Sequence, residues 1–391
     1  MIFSNFVTMK TKQNIKVNNR LIFIDALRSF AILMMLQGHF ISALLADKFK
    51  DQNNTFYNIW EYFRGITAPI FFTITGFVFM FLLLKQKIVG WDNPRVKKGI
   101  ERGIKLILWG YALRFSFGIF FGYTHVSYYY TDVLHIIGLS LLLLCSIYLL
   151  LYKHNPKVFR YALLSITVFS FLFERYYNEI SIPYLPTEIS HYLTKVNGSV
   201  FSLFPWFGYV SIGAYLAPVF IKYKEDKNFY KKLPLTLAIA GLLLLFTSSP
   251  ILLFLGSFFE INIFTVSGEY NYLFTRLGDV LLIFSIFVYL RNFLTHSLFI
   301  KIGKVTLSIY IVHHIILYGS WFDTGITRIF KNSLNYTEAV FGALVFMFLV
   351  CFLVLKYREL INIFLKKVSQ FIAYQIIRLK NSFININFKR R

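Results

Sequence analysis

Residues 21–45 form an apolar run, LIFIDALRSFAILMMLQGHFISALL, that is long enough to cross a membrane as a helix. The run nevertheless contains Asp25, Arg28 and His39, although Asp or Arg at the bilayer centre costs about 2.5–3.5 kcal/mol on insertion scales. Each residue of a helix turns by about 100°, so Arg28 lies about 60° and His39 about 40° from Asp25 around the axis. The three side chains share one stripe, which predicts a polar cavity inside a helix bundle.

Apolar runs of this kind recur along the chain of 391 residues, of which 57% are hydrophobic and 15% are charged. Soluble domains are typically about 25% charged. We therefore predict an all-α fold, a polytopic membrane helix bundle with about ten transmembrane helices. The predicted spans are residues 21–45, 59–84, 103–122, 133–152, 159–174, 201–221, 233–255, 272–291, 303–320 and 337–356.

The net charge of +23 is distributed unevenly between the predicted loops. With the amino terminus inside, the inner segments hold most Lys and Arg residues, whereas the outer loops hold few of them and many of the acids. This asymmetry follows the positive-inside rule, so it predicts cytoplasmic termini and explains the charge without a nucleic-acid partner. The bias toward Ile, Lys, Asn, Phe and Tyr indicates a bacterial source, and hence a multi-pass protein of the cytoplasmic (inner) membrane.

Three segments follow from this topology. They are a basic cytoplasmic amino-terminal segment, 1–20, a transmembrane domain, 21–356, and a basic amphipathic cytoplasmic tail, 357–391. The tail alternates bulky apolar residues with Lys and Arg, a pattern that suits an interfacial helix on the anionic inner leaflet. Cys145 and Cys351 fall inside spans, where they are expected to act as small apolar residues. No set of His, Cys and carboxylate residues has metal-ligand spacing, so no metal is expected.

His39 is the strongest candidate for chemistry because imidazole transfers protons near neutral pH. It follows Asp25 by fourteen residues, about 21 Å along a helix axis, so its partner must lie on another helix. Asp132 and His135 are three residues apart at the outer start of the fourth span, where they are candidate partners. A helix start with an acidic cap explains them equally well, and a purely structural His39 is the alternative to a catalytic one.

Arg64 and Thr67 precede Pro69 in the second span. Proline removes a backbone donor and tends to kink a helix, which leaves carbonyl groups that Thr67, Thr73, Thr75 or water could satisfy. Gly76 would allow another helix to approach closely. Kinking and packing explain much of this segment, and a direct role of Arg64 and Thr67 in a site is the alternative.

Two further pairs lie in the eighth and ninth predicted spans. Arg276 and Asp279 are three residues apart, so we expect an ion pair that either braces the bundle or belongs to a site. His313 and His314 are adjacent, and their side chains point about 100° apart on a helix. At most one of them therefore needs to face a cavity.

Six segments together resemble the catalytic domain of the heparan-alpha-glucosaminide N-acetyltransferase family and, more loosely, OafA-type integral-membrane acyltransferases. They are RLIFIDALRSFAILMMLQGHF, TAPIFFTITGFVF, RGIKLILWGYALRF, DVLHIIGLS, FPWFGYVSIGAYLA and IGKVTLSIYIVHHIILYG. The likeness runs from residue 20 to about residue 356 in the order of the family. Ser29 departs from the pattern, because the family usually has Gly after its Asp-x-x-Arg sequence.

The resemblance implies an acyltransferase that moves an acyl group, usually acetyl, from cytoplasmic acetyl-CoA to a sugar or glycan on the other side of the membrane. His39 would act as general base or transient acyl carrier. Arg28 and the basic cluster Arg95, Lys97, Lys98, Arg102 and Lys105 lie at the inner face, where they could bind the phosphates of the cofactor. The candidate catalytic residues are His39, Asp132 and His135; the candidate cofactor-binding residues are Arg28, Arg102, Lys105 and Asp25; the candidate substrate-binding residues are Arg64, Thr67, Arg276, Asp279 and His314. Of these, Asp25 would hold Arg28 or the inner helix end.

A multi-span transporter or flippase of a polar or glycolipid substrate is the alternative, because it would also place charges at mid-membrane. Such proteins usually have internal repeats or paired broken helices, and only Pro69 suggests a break. The acceptor, the acyl chain, O- against N-acylation and direct transfer against an acyl-histidine intermediate stay open. The sequence is also compatible with a homodimer.

Overall fold

The structure is a computed structural model that describes residues 21–122, 126–180, 182–196, 198–223 and 225–371. Helices dominate this part of the chain, and its β-structure is limited to two isolated bridges, Leu45 with Leu334 and Ser116 with Trp321. The all-α fold predicted from the sequence is confirmed for these residues. The amino-terminal segment 1–20 and the end of the tail, 372–391, lie outside them.

Fifteen α-helices are numbered here in chain order. They are α1 Ile22–Leu44, α2 Thr55–Leu84, α3 Pro94–Arg114, α4 Val133–Leu151, α5 Pro156–Leu172, α6 Glu174–Glu179, α7 Thr187–Leu193, α8 Leu203–Tyr223, α9 Lys227–Phe259, α10 Asn262–Glu269, α11 Tyr272–Tyr289, α12 Ser297–Lys304, α13 Thr306–Tyr318, α14 Thr327–Phe330 and α15 Tyr336–Lys356. A further helical segment covers residues 358–371.

Seven of the described helices are long and apolar enough to cross a membrane: α1, α2, α4, α8, α9, α11 and α15. The pair α12 and α13, bent by 73°, could form an eighth span. Every predicted span overlaps a helix. The helices α3 and α5, however, are not long and apolar enough to count as membrane spans. The 17 residues of α5 reach about 26 Å, less than the hydrocarbon core of about 30 Å, and α3 is rich in Lys and Arg. The count of ten spans therefore stays a prediction.

Helix α3 differs most from its predicted span, 103–122, because it begins at Pro94 and ends at Arg114. The side chain of Asn93 caps its start by accepting a hydrogen bond from Arg95 N at 2.9 Å, and proline is favoured in a first helical turn. Arg95, Lys98 and Arg102 are consequently held on a helix, whereas the sequence alone placed all three in the loop before the predicted span.

Glycines bring helices into backbone contact around the core of the bundle. A Cβ on Gly76 of α2 would lie 1.8 Å from the carbonyl oxygen of Val210 on α8, so the predicted close approach at Gly76 is confirmed. On α12, a Cβ on Gly303 would lie 2.0 Å from the carbonyl oxygen of Asp25. The Ser29 hydroxyl donates to the carbonyl of Phe299, so α1 and α12 pack closely although Ser29 replaces the glycine of the family pattern.

The helical segment 358–371 packs against the bundle. Trp109 Nε1 on α3 donates to Ser369 Oγ at 3.1 Å, and the rings of Phe364 and Trp321 lie 6.0 Å apart. The sequence predicted a helix lying on the inner leaflet here. The structure instead packs it against α3 and against Trp321, which follows α13 and lies beside the end of α3, because apolar side chains of this segment are half-buried against the bundle. Cys145 and Cys351 are buried as free thiols, as expected.

Candidate active site

A cavity of about 950 Å³ runs through the bundle, chiefly between α1, α2, α3, α4 and α13. Its volume falls in the range of ligand sites, about 300–1,000 Å³. We call one end the basic end, which is lined by Arg28, Arg95, Lys98 and Arg102. We call the other the histidine end, which is lined by His39, Arg64, Arg114, Asp132 and His314. Since Arg28 and His39 are eleven residues apart on α1, the two ends are separated by about 16 Å.

The basic end is built mainly by one face of α3. Arg95, Lys98 and Arg102 recur at helical spacing, and the exposure of Lys98 and Arg102 shows that this end opens at the protein surface. Arg28 is held across the cavity by α13, because its Nη2 donates to Thr306 Oγ1 at 3.0 Å. These four cations converge where an anionic group could bind.

Two residues that were predicted for this end lie elsewhere. Lys105 is exposed and does not line the cavity. Asp25 is 4% exposed and is also absent from the lining. Its backbone oxygen lies 3.0 Å from Ser29 Oγ, at the contact between α1 and α12.

At the other end, His39 forms a hydrogen bond with His313, with 3.0 Å between His39 Nδ1 and His313 Nε2. The partner is therefore on another helix, α13, as predicted. It is neither of the two candidates, Asp132 and His135. His314 lines the cavity while His313 is fully buried behind it, which agrees with the prediction that at most one of the two faces a cavity.

The hydrogen bond fixes what each ring nitrogen of His39 can do. If Nδ1 carries the proton and donates to His313, the Nε2 lone pair is left for chemistry. His39 lines the cavity, and Nδ1 is the ring nitrogen engaged by His313. The ring of Tyr318 packs on the same imidazole, with 6.1 Å between centroids, so two residues of α13 hold its orientation.

His314 contributes a second imidazole to the histidine end. Its Nδ1 lies 2.8 Å from Ser320 Oγ, just beyond the end of α13, and both residues line the cavity. The Tyr318 ring lies 4.9 Å from the His314 ring. Tyr318 therefore contacts both cavity-lining histidines, His39 and His314, and was not identified from the sequence.

Asp132 caps α4 and lines the histidine end. Its Oδ1 accepts from Leu134 N at 3.0 Å and lies 3.0 Å from His135 Nδ1, while Oδ2 lies 3.5 Å from Arg114 Nε. Burial by itself raises the pKa of the Asp132 carboxyl, but the hydrogen bond to His135 and the charge of Arg114 outweigh it and lower that pKa to about 2. Asp132 is consequently an anion beside the cavity at neutral pH.

His135 is fully buried and does not line the cavity. It packs against α3, where a Cβ on Gly110 would lie 2.4 Å from its ring. Its Nδ1 also lies 3.1 Å from the backbone nitrogen of Asp132. This ring nitrogen donates to the Asp132 carboxylate when it is protonated and accepts from the backbone N–H, as in a capping box, when it is not. His135 thus lies at the helix start that the sequence left open as the alternative to a catalytic role.

Arg64 and Thr67 on α2 both line the cavity. Arg64 Nη1 donates to Ser42 Oγ at 3.2 Å, its Nη2 donates to Glu61 Oε1 at 3.3 Å, and its guanidinium carbon lies 5.5 Å from the Trp60 ring centroid. The Thr67 hydroxyl is buried without a hydrogen-bond partner in the described part of the chain. A bound molecule could supply that partner.

Arg276 and Asp279 form the expected ion pair, with 3.1 Å between Nη1 and Oδ2, but they do not line this cavity. Tyr62 of α2 donates to Asp279 Oδ1 at 2.7 Å, and the Arg276 guanidinium lies 4.1 Å from the Tyr62 ring centroid. The pair therefore joins α2 to α11, which is the bracing geometry that the sequence allowed.

The residues missed from the sequence are chiefly Arg114, His313 and Tyr318. The signal for Arg114 was an arginine inside the predicted span 103–122, since a charge at membrane depth needs a partner. The His-His pair was visible, but only the fold shows that His313 bonds His39. No group of three or more His, Cys, Asp or Glu residues that could hold a metal occurs among the described residues.

The fold and cavity define a polytopic membrane protein with an internal site that is basic at one end and carries imidazoles at the other. A family model described as heparan-alpha-glucosaminide N-acetyltransferase, catalytic, matches residues 20–255. The chain belongs to this family, and membership implies acyltransferase activity in general. The matched region ends before residues 302–319, the last of the six resembling segments. A comparison with curated proteins gives no match.

Proposed function

We propose that the protein transfers an acyl group, acetyl in the first instance, from acyl-CoA on the cytoplasmic side to a sugar or glycan on the outer side. The observation that carries this proposal is the single cavity that connects the basic end to His39. An acyl donor and an acceptor on opposite sides of a membrane need such a connection, because the reacting atoms must come within about 3–3.5 Å of each other.

The lining of the cavity fits the shape and charge of acyl-CoA. Arg28, Arg95, Lys98 and Arg102 could bind its phosphates. Between the ends, apolar side chains such as Ile32, Met35, Phe71, Leu106 and Leu141 line a passage suited to an extended, largely uncharged arm. The distance of about 16 Å between Arg28 and His39 separates the phosphates from the reacting thioester.

His39 would serve the transfer as a base. Its Nε2 takes the proton of the acceptor hydroxyl or amine, the acceptor oxygen or nitrogen forms a bond to the acyl carbon, and the carbon–sulfur bond breaks. The sulfur leaves as thiolate and takes the proton that the acceptor has given up, which restores the neutral imidazole. In the alternative course, Nε2 itself forms the bond to the acyl carbon and passes the acyl group to the acceptor in a second step. In both courses the Nδ1–H group of His39 donates its hydrogen bond to His313 Nε2.

Arg64, Thr67 and His314 would bind the acceptor at the histidine end, and Arg114 with Asp132 would keep that end polar. We further propose that the basic end faces the cytoplasm of a bacterial cell, with both termini on that side. The asymmetry of Lys and Arg between alternate loops supports this orientation. The homodimer stays a prediction.

A transporter or flippase remains the second candidate, because the charged lining of a cavity through the bundle also suits the path of a polar substrate. The two candidates differ in covalent chemistry. A transporter moves its substrate unchanged, whereas an acyltransferase consumes acetyl-CoA and labels an acceptor.

The test uses the full chain reconstituted in vesicles with acetyl-CoA that carries a radiolabelled acetyl group. The proposal expects saturable binding of acetyl-CoA, weakened by Arg102→Glu, and transfer of label to a glycan fraction on the opposite side of the membrane. The matched control is Lys105→Glu, which reverses an exposed charge outside the cavity on the same helix. Failure of the wild-type protein to bind acetyl-CoA would contradict the proposal and favour a transporter.

A further inference from the structure

A second cavity, of about 520 Å³, lies beside the histidine end, between α6, α8 and the start of α11. We call it the outer groove. Trp206 of α8 and Tyr272 of α11 line both the outer groove and the main cavity. The two cavities are therefore neighbours that share side chains in their walls. The volume of the outer groove also falls in the range of ligand sites.

Two buried polar atoms in the lining of the outer groove have no hydrogen-bond partner among the described residues. They are Asn178 Oδ1 and Trp206 Nε1. Asn178 Nδ2 donates to Glu174 Oε1 at 2.6 Å, so the amide is held with its oxygen left as an acceptor. Trp206 is 9% exposed. Unpaired buried polar groups are rare and unfavourable in native proteins, so one donor and one acceptor here indicate a ligand that bonds both.

The remaining lining combines aromatic rings with balanced charges. Tyr270 and Tyr272 add two rings to that of Trp206, and Arg175 lies 4.7 Å from the Tyr270 ring centroid. Glu174 and Glu179 are matched in number by Arg175 and Lys195. Such a groove favours a neutral ligand that has apolar faces and a rim of hydroxyl groups. A sugar ring has this surface, because its C–H groups pack on aromatic rings while its hydroxyls donate and accept.

We propose that the outer groove binds one sugar ring of the acceptor while the adjoining ring reaches His39 in the main cavity. This inference rests on the proposed function and deepens it, because it makes the acceptor at least two linked sugar units. The Arg276–Asp279 ion pair would then hold the wall between the two sites, because the Arg276 guanidinium lies 5.1 Å from the ring centroid of Tyr272, which lines both cavities.

The experiment measures equilibrium binding of sugars to the purified full chain without acetyl-CoA. The probes are glucose, glucosamine and N-acetylglucosamine, each compared with its 1,4-linked dimer. The wild-type protein is expected to bind at least one dimer about 10-fold or more tightly than its monomer. Tyr270→Ala removes a ring that lines the outer groove only, and should reduce that preference by about 3- to 10-fold without changing monomer binding.

The matched control is Tyr184→Ala, because Tyr184 lies between α6 and α7, is 96% exposed and lines neither cavity. It should bind as the wild type does. Asn178→Ala gives a second, chemically different variant and should lower dimer binding in the same selective way. Equal affinity of monomer and dimer in the wild type, or equal loss for both in Tyr270→Ala, would overturn the inference.

Failure of this inference is distinguishable from failure of the proposed function. Binding is measured in the absence of donor, so a dimer preference that depends on Tyr270 supports the outer groove whether or not acyl transfer occurs. Conversely, a protein that transfers labelled acetyl to sugars and yet binds monomer and dimer equally well would support the acyltransferase proposal and contradict the sugar site in the outer groove.

Discussion

Replacing His313 by Phe tests how His39 is oriented. His313 is fully buried, and the substitution keeps an aromatic ring there while it removes the nitrogen that lies 3.0 Å from His39 Nδ1. A buried N–H without a partner costs about 1–3 kcal/mol. If the reactive orientation of His39 becomes less stable by that free energy, kcat falls by about 5- to 150-fold, because 1.4 kcal/mol corresponds to a factor of ten. The KM for acetyl-CoA should not change, because the basic end lies about 16 Å away.

The assay is transfer of labelled acetyl by variants reconstituted in vesicles, with melting temperatures measured to show that each is folded. His313→Gln offers an amide oxygen to His39 and should recover part of the lost kcat. His154→Ala removes an exposed histidine and serves as the control. A His313→Phe protein with the kcat of the wild type would refute the reasoning that His313 holds His39.

Three further predictions concern other parts of the site and fold. Arg102→Glu should raise the KM for acetyl-CoA by about 10- to 100-fold through loss of a charge-assisted contact, whereas Lys105→Glu should leave KM within about twofold; equal effects would contradict the basic end. Gly76→Ala should lower the melting temperature in detergent, since its Cβ would lie 1.8 Å from the Val210 carbonyl oxygen and overpacking costs about 1–3 kcal/mol; unchanged melting would exclude that contact. Because the pKa of Asp132 is lowered to about 2, Asp132 stays ionised well above that value, and Asp132→Asn should reduce kcat by the same factor at about pH 6 and about pH 8; a ratio that varies between these pH values would show that Asp132 titrates there.

Much of the architecture is predictable from the sequence because bilayer thickness and backbone hydrogen bonding leave few solutions for long apolar runs. The helix α15, Tyr336–Lys356, begins within one residue of its predicted span and ends with it. The helix α3 shows where this reasoning weakens. Its start depends on the cap at Asn93 and on Pro94, and these local signals lie outside the apolar run.

The candidate site was predictable only in part. The stripe on α1 indicated a cavity, and Arg28 and His39 do line one. Helical angles alone also placed Asp25 in that stripe, but it lies against α12, where Gly303 allows a backbone approach. The bond between His39 and His313 joins residues 274 apart in the chain, and no periodicity in a single sequence encodes such a pairing.

The most direct test of the account is acetyl transfer by His39→Ala. The variant should bind acetyl-CoA as tightly as the wild type, because the cations of the basic end are untouched, and should lose transfer by about 100-fold or more, the usual range for a general base. Binding and transfer measured on the same reconstituted preparation separate these effects. Transfer by His39→Ala at the wild-type rate, with acetyl-CoA bound normally, would contradict the claim that this imidazole carries the reaction.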